Sequence, residues 1–150
     1  MEDAKAIIEK GIERWNAHDR DGFLEFYDEE ISFVGVGTHE LHGREEFGTG
    51  FYDLWTEAYP DNELKEPLVF SDGEWVCFYG RFTGTHTGVF HGPDMEMPPT
   101  GKPVDSPFVF IAQVRDGKVK DSRIIYDRLT TLEQEGIISL EQFTAQMAHA

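Results

Sequence analysis

The sequence predicts an α+β domain, a few helices packed against one antiparallel sheet. Three observations carry that reading. Up to Pro60, apolar residues recur mostly at three- and four-residue steps, the period of a buried helix face. After Pro60 the pattern changes to period 2, with two strand pairs joined at "SDG" and "RDGK". Helices are thus segregated from strands instead of alternating with them, which separates α+β from α/β architectures. At 150 residues the chain has the size of one domain with a single core. No repeat, low-complexity tract or linker divides it.

The elements follow in order. Residues 3–17 form a helix in which Ala4, Ile8, Gly11, Ile12 and Trp15 recur on one face. "NAHDRDG" breaks it, and Phe23, Leu24, Phe26 and Tyr27 suggest a short second helix. "ISFVGVG" at 31–37 is β-branched and aromatic and ends in glycines, which marks a strand. Residues 44–58 form a third helix, with Phe47, Phe51, Trp55 and Ala58 in one stripe and Pro60 as its stop. Residues 62–86 hold two strands. Residues 87–103, with four of the seven prolines, form a long loop. "VDSPFVFIAQV" and "VKDSRIIYD" make a hairpin. A short helix follows Asp127, and a last one follows Ser139, which with Gln142 suits a capping box. Strands 74–86 and 104–114 are apolar on both alternations: Trp75, Cys77 and Tyr79 on one, Val76, Phe78 and Phe82 on the other. Both sheet faces are therefore expected to be covered, one by the helices and the other by a second subunit.

Composition narrows the classes of function. At 39% hydrophobic and 13% aromatic, the chain is too apolar for a disordered segment. Twenty-nine acids against 13 bases give a net charge of −16, which repels nucleic acid and anionic membranes. No stretch approaches the length of a membrane span, and the N-terminus has no apolar run of a secretory signal, so a cytoplasmic location is expected. The single cysteine, Cys77 in "EWVCFYGRF", reads as a small buried hydrophobe and not as a nucleophile.

The stretches "WNAHDRDGFLEFYDEEISF", "HGREEF", "GTHTGVFHG…PPTGKPV" and "DGKVKDSRIIYDRLTTLEQEG" occur in that order within residues 4–136. Together they resemble the SnoaL-like polyketide cyclase, or ester cyclase, group of the nuclear-transport-factor-2-like (NTF2-like) superfamily. The resemblance implies a cone-shaped half-barrel, with a curved antiparallel sheet packed on N-terminal helices around an apolar pocket. It also implies a homodimer or homotetramer through the outer sheet face. The implied chemistry is aldol ring closure on a polyketide methyl ester, with no metal or organic cofactor. An Asp at the end of the last strand is then the general acid/base, and Asp127 holds that position. The superfamily also includes ketosteroid isomerases, scytalone dehydratases, epoxide hydrolases and binding proteins, so the fold alone does not give the reaction.

Asp127 has two readings. As N-cap of the short helix it bonds the Leu129 or Thr130 amide. Turned into the cone it is the acid/base, its pKa raised by an apolar wall that includes Ile125. By alternation Asp121, Arg123 and Ile125 share its face. Arg123, where relatives carry an aromatic residue or His, would stabilise an enolate if it pointed inward, or pair structurally with Asp121. Asp121, Arg123 and Asp127 also superficially resemble the Asp–Arg–Asp set of the epoxide hydrolases. Gln113, across the hairpin, can donate a hydrogen bond to substrate but cannot shuttle a proton. His86 in "GTHTG" either joins the pocket or ties down the loop. His39 and His42 in "HELH" lie in a loop with no third ligand nearby, so no metal site is expected. Trp15, Phe33, Tyr52, Trp55 and Tyr59 are core residues, several of which must line the cavity, and they suit a flat aromatic ligand. The loop 87–103, with Met95 and Met97, could close over the mouth. The expected function is cofactor-independent acid/base chemistry, an aldol cyclisation, isomerisation or hydration, on a small hydrophobic carbonyl compound. Non-catalytic binding of a small molecule is the rival.

Overall fold

The computed structural model describes residues 3–35 and 39–149. Helix α1 (Ala4–Asn16) is capped by Asp3, which accepts from the Ala6 amide at 2.8 Å, and it buries Ile7, Ile8, Ile12 and Trp15. Helix α2 (Arg20–Leu24) lies earlier than its apolar residues suggest, because Asp19 caps it through the Gly22 amide. Phe26 is not helical, and Tyr27 already opens strand β1 (Tyr27–Val34). The strand expected at 31–37 thus starts at Tyr27; positions 36–37 lie outside the described residues. "HELH" is not a loop: Glu40–His42 form strand β2, antiparallel to β1.

The third helix is unbroken but not uniform. It runs through α3 (Arg44–Phe47), a π-helical turn (Gly48–Asp53) and α4 (Leu54–Ala58). Steps of four residues overshoot a regular α-helical face by about 40° each. A π turn uses more residues and pulls the stripe back, so Phe47 and Phe51 stay buried while Trp55 still reaches the same side.

Strands β3 (Glu63–Asp72) and β4 (Trp75–Thr85) pair across the expected turn. A small hairpin of β5 (Phe90–His91) and β6 (Glu96–Met97) folds within the 87–103 loop. Strands β7 (Pro103–Arg115) and β8 (Lys118–Tyr126) follow, then helices α5 (Arg128–Gln134) and α6 (Leu140–Ala148). The main sheet has the order β2-β1-β8-β7-β4-β3. Its curvature fits the α+β half-barrel, and it is not closed. One pairing departs from an antiparallel sheet: β1 lies parallel to β8, because the first strand enters beside the last. Register shifts interrupt β1, β3 and the β7–β8 pair, and irregularities of this kind bend strands.

The sheet's inner face holds Val76, Phe78, Phe110, Ala112 and Val119 against α1 and the long helix. The outer face is open in the single chain: Tyr79 is 45% and Ile125 67% exposed, beside Leu68 and Phe70. Cys77 lies on this outer alternation, opposite Phe70 and Ile111, and is only partly buried, so the expectation of a core cysteine is corrected. A second cluster of Ala58, Tyr59, Phe90, Met97 and Val104 fastens the 87–103 loop to the body.

At Gly88 that fastening leaves no room. Its amide donates to the Ala58 carbonyl at 3.1 Å, and a Cβ there would fall 1.8 Å from the Glu57 carbonyl oxygen. Gly88→Ala should therefore cost about 1–3 kcal/mol in urea unfolding. An unchanged midpoint would mean that the loop detaches freely.

Candidate functional site

The inner sheet face, α1 and the long helix surround a cavity of about 810 Å³ of unoccupied space, its open mouth included. Ile8, Ile12 and Trp15 line one side, and Trp55, Phe82 and Phe108 another. Among its described lining residues there is no Asp, Glu, Lys, Arg or His. The polar groups are hydroxyls, those of Tyr27, Tyr126, Ser106 and Thr131, and the Trp15 indole N–H, which is already engaged by Asn62 at 2.6 Å. Burial pushes the Tyr27 and Tyr126 phenols above the usual tyrosine range, so they remain neutral donors. Ser106 Oγ and Thr131 Oγ1 lie 3.3 Å apart, facing each other from β7 and α5.

An outer compartment adjoins it, with about 470 Å³ of space including open solvent. The two share Phe51, Trp55, Ile124 and Tyr126. The Trp55 and Tyr126 rings meet edge to face at 5.1 Å and form a partition. The outer compartment also has charge. Arg128 donates from both terminal nitrogens to Asp94, each at 3.0 Å, and His39 lies on the same rim. The hydrogen bond from Arg128 holds the Asp94 carboxyl below the usual carboxylate range.

Several site residues expected from the sequence lie elsewhere. The inward side chains of β8 are Val119, Ser122, Ile124 and Tyr126, the first two fully buried and the last two at the cavity wall. Asp121, Arg123 and Ile125 belong to the outer alternation. Arg123 donates to Asp121 at 3.1 Å and sits 5.6 Å from the Trp75 ring centroid. It polarises nothing in the cavity, and exposed Ile125 is no wall. Gln113 is outside as well, donating to Glu74 at 3.1 Å, a carboxylate that also takes Arg115. Asp127 caps α5: Oδ1 accepts from the Thr130 amide at 2.9 Å and Oδ2 from the Thr130 hydroxyl at 2.6 Å. These bonds, the hydroxyl's first, hold its carboxyl below the usual range, not above it. Asp127 is exposed and lines neither compartment, so the Asp–Arg–Asp set has no place in the cavity. His42 is exposed and pairs with Glu40 at 3.4 Å; no group of three or more potential metal ligands occurs among the described residues.

The aromatic expectations divide. Trp15 and Trp55 line the inner compartment and Phe33 the outer. Tyr52 and Tyr59 are buried behind the walls. Tyr59 belongs to a polar cluster with His86 and Glu135. Its hydroxyl donates to Glu135 Oε1. His86 Nδ1 lies 3.1 Å from Thr100 Oγ1 and 3.8 Å from Glu135 Oε2, and both side chains are fully buried. The His86 amide and carbonyl bond Lys102 and Gly101, so this histidine ties down the long loop and lines neither compartment. Tyr59 packs on Trp55 and Phe82, and so the cluster props the cavity wall from behind. Glu135 went unread in the sequence. The one signal was an acid at the C-terminal end of a helix, where the dipole disfavours negative charge. Glu135→Leu should strand the Tyr59 hydroxyl and cost about 1–3 kcal/mol, and adding Tyr59→Phe should recover most of that loss in urea unfolding. A double variant no better than the single one would assign the cost to packing.

The family model for SnoaL-like polyketide cyclases matches residues 5–135. The aklanonic acid methyl ester cyclase DnrD of Streptomyces peucetius is 28% identical over 136 residues, covering 87% of this chain and 88% of that protein. DauD of Streptomyces sp. strain C5, of the same description, is also 28% identical, over 87% of this chain and 80% of that one. Among solved structures, IdmH of Streptomyces antibioticus superposes with a TM-score of 0.75 at 23% identity, over 90% of this chain and 99% of that one. An NTF2-like protein of Burkholderia thailandensis gives 0.74 at 16% identity, over 89% and 98%. The structural likenesses speak for the fold, and the match over nearly the whole chain speaks for more than that: the chain belongs to the SnoaL-like polyketide cyclase family.

Proposed function

We propose that this protein is a cofactor-independent enzyme of the cyclase or isomerase type that moves a proton on a flat, hydrophobic carbonyl compound held in the inner compartment. The observation that carries the reading is the wall itself: aromatic and aliphatic side chains, hydroxyls and, among the described residues, no charge. An oxygen that gains negative charge as an enolate forms would be met by the Tyr126, Tyr27 or Ser106 hydroxyls, since the Thr131 hydroxyl already donates to the Asp127 carbonyl at 3.0 Å. The relatives' name supplies a candidate substrate class, a polyketide methyl ester.

In this reading Asp127 is the proton acceptor. It stands in the chain between Tyr126, which lines both compartments, and Arg128, which lines the outer one. Ionised, it can accept a proton, but only after its carboxylate leaves Thr130 and turns to the mouth. The Thr130 bonds favour the rival reading, a protein that binds the same class of ligand without chemistry. Two variants separate them, assayed by ring closure of a polyketide methyl ester followed by absorbance. If Asp127 is the base, Asp127→Asn should lower kcat by about 10²–10⁴, while Thr130→Val should raise the Asp127 pKa in NMR titration and leave kcat equal or higher. If Asp127 only caps α5, Asp127→Asn keeps the cap and the unfolding midpoint nearly unchanged, and neither variant changes kcat.

A second copy of the chain is proposed to cover the outer sheet face. The support is the row Leu68, Tyr79, Val109 and Ile125, opposed across four strands and open to solvent at three of its positions. Tyr79→Glu should then sediment as a monomer with an unchanged circular dichroism spectrum. A monomeric wild type would remove this proposal.

A further inference from the structure

We propose that the Asp94–Arg128 pair is a charge filter at the cavity mouth, which accepts ligands whose outer end is an uncharged carbonyl, as in an ester or ketone, and rejects the corresponding free acid. The inference rests on the cavity being the substrate site, and it adds the residues that choose among substrates.

The inner compartment has no cation among its described lining residues, so a carboxylate carried inward would be buried without a partner, at a high desolvation cost. Any anionic end must therefore stay in the outer compartment, where Arg128 is the permanent cation on the wall. Asp94 already compensates that charge through two parallel 3.0 Å bonds. A guanidinium has five N–H donors, and two hold Asp94, so donors remain for a neutral oxygen. A carboxylate arriving at the same place meets the Asp94 carboxylate and a chain of net charge −16. Like charges side by side are disfavoured, whereas a neutral acceptor loses nothing. His39, the other titratable group on this rim, can offset the repulsion only when protonated.

The pair is also built to hold its place. Arg128 is the first residue of α5, fixed by the Asp127 cap, and Asp94 lies in the turn between β5 and β6. The Arg128 side chain is the more covered of the two, at 29% exposure against 57% for Asp94. Removing the Asp94 charge therefore leaves a cation facing the compartment and should disturb little else.

The test uses the full chain and three fluorescent probes, anthracene, methyl anthracene-2-carboxylate and anthracene-2-carboxylate, titrated at pH 7.5. The wild type should bind the ester about tenfold or more tighter than the acid. Asp94→Asn, with Asp94→Ser as a second variant, should bring that ratio to unity or invert it, mainly by tighter binding of the acid. Arg128→Gln should weaken the ester and leave anthracene within about twofold. A ratio that is unchanged in both Asp94 variants, with circular dichroism intact, would overturn the filter while leaving the cavity reading in place. Failure of all three probes to bind the wild type, anthracene included, would remove the cavity reading and the filter with it.

Discussion

The register of β8 against β7 decides what the cavity is made of. Phe110 opposes Ile124 and Phe108 opposes Tyr126, and these pairs face inward; Ile111 opposes Arg123 and Val109 opposes Ile125, and these face out. A strand has only two faces, so a slip of one residue would carry Arg123 and Ile125 into the cone and expel Ile124 and Tyr126. The irregularity after Gln113 lets Val119 return to the inner face near the hairpin, where it is fully buried. The β8 contribution to the inner compartment follows from this phase. The inner compartment shows no charged side chain among its described lining residues, and on β8 this is because the charged half of "DSRIIY" points the other way.

Charge is accordingly layered. Salt bridges such as Arg123–Asp121 and Arg115–Glu74 lie on the outer face, where solvent weakens them. The Asp94–Arg128 pair stands at the rim. His86 and Glu135 are the buried ionisable pair, and they sit behind the aromatic wall, tied to the loop and to Tyr59. Placed there, they back the aromatic wall through Tyr59, which packs on Trp55 and Phe82.

Much of this was legible in the sequence, and the failures have physical reasons. The helix α1 face, the Phe47–Phe51–Trp55 stripe and the hairpin across "RDGK" are local patterns, and Asp116 and Gly117 indeed take positive φ at 55° and 73°. The phase of β8 was not legible, because Ile124 and Ile125 are adjacent and either alternation buries one of them. Strand β2 has three residues, too few to display a period. The parallel pairing of β1 with β8 joins segments from opposite ends of the chain and leaves no local trace. Asp127 could be read either as cap or as acid, and the cap is the bond it makes. The partners of Glu135 are Tyr59, 76 positions away, and His86, so its neighbours in the chain do not mark this acid as a core residue.

The π turn at Gly48–Asp53 has a consequence for how such a pocket changes over evolutionary time. Regular helices resist insertions and deletions, since one residue turns everything beyond it by about 100°. A π turn is a stored extra residue. Loss of a single codon within it would return the segment to α-helical winding and leave Trp55 on the same side, because seven α-helical steps of about 100° close to within about 20° of one face. The fold thus holds at one short segment a residue that can be lost while the partition, the sheet and the α5 cap stay where they are.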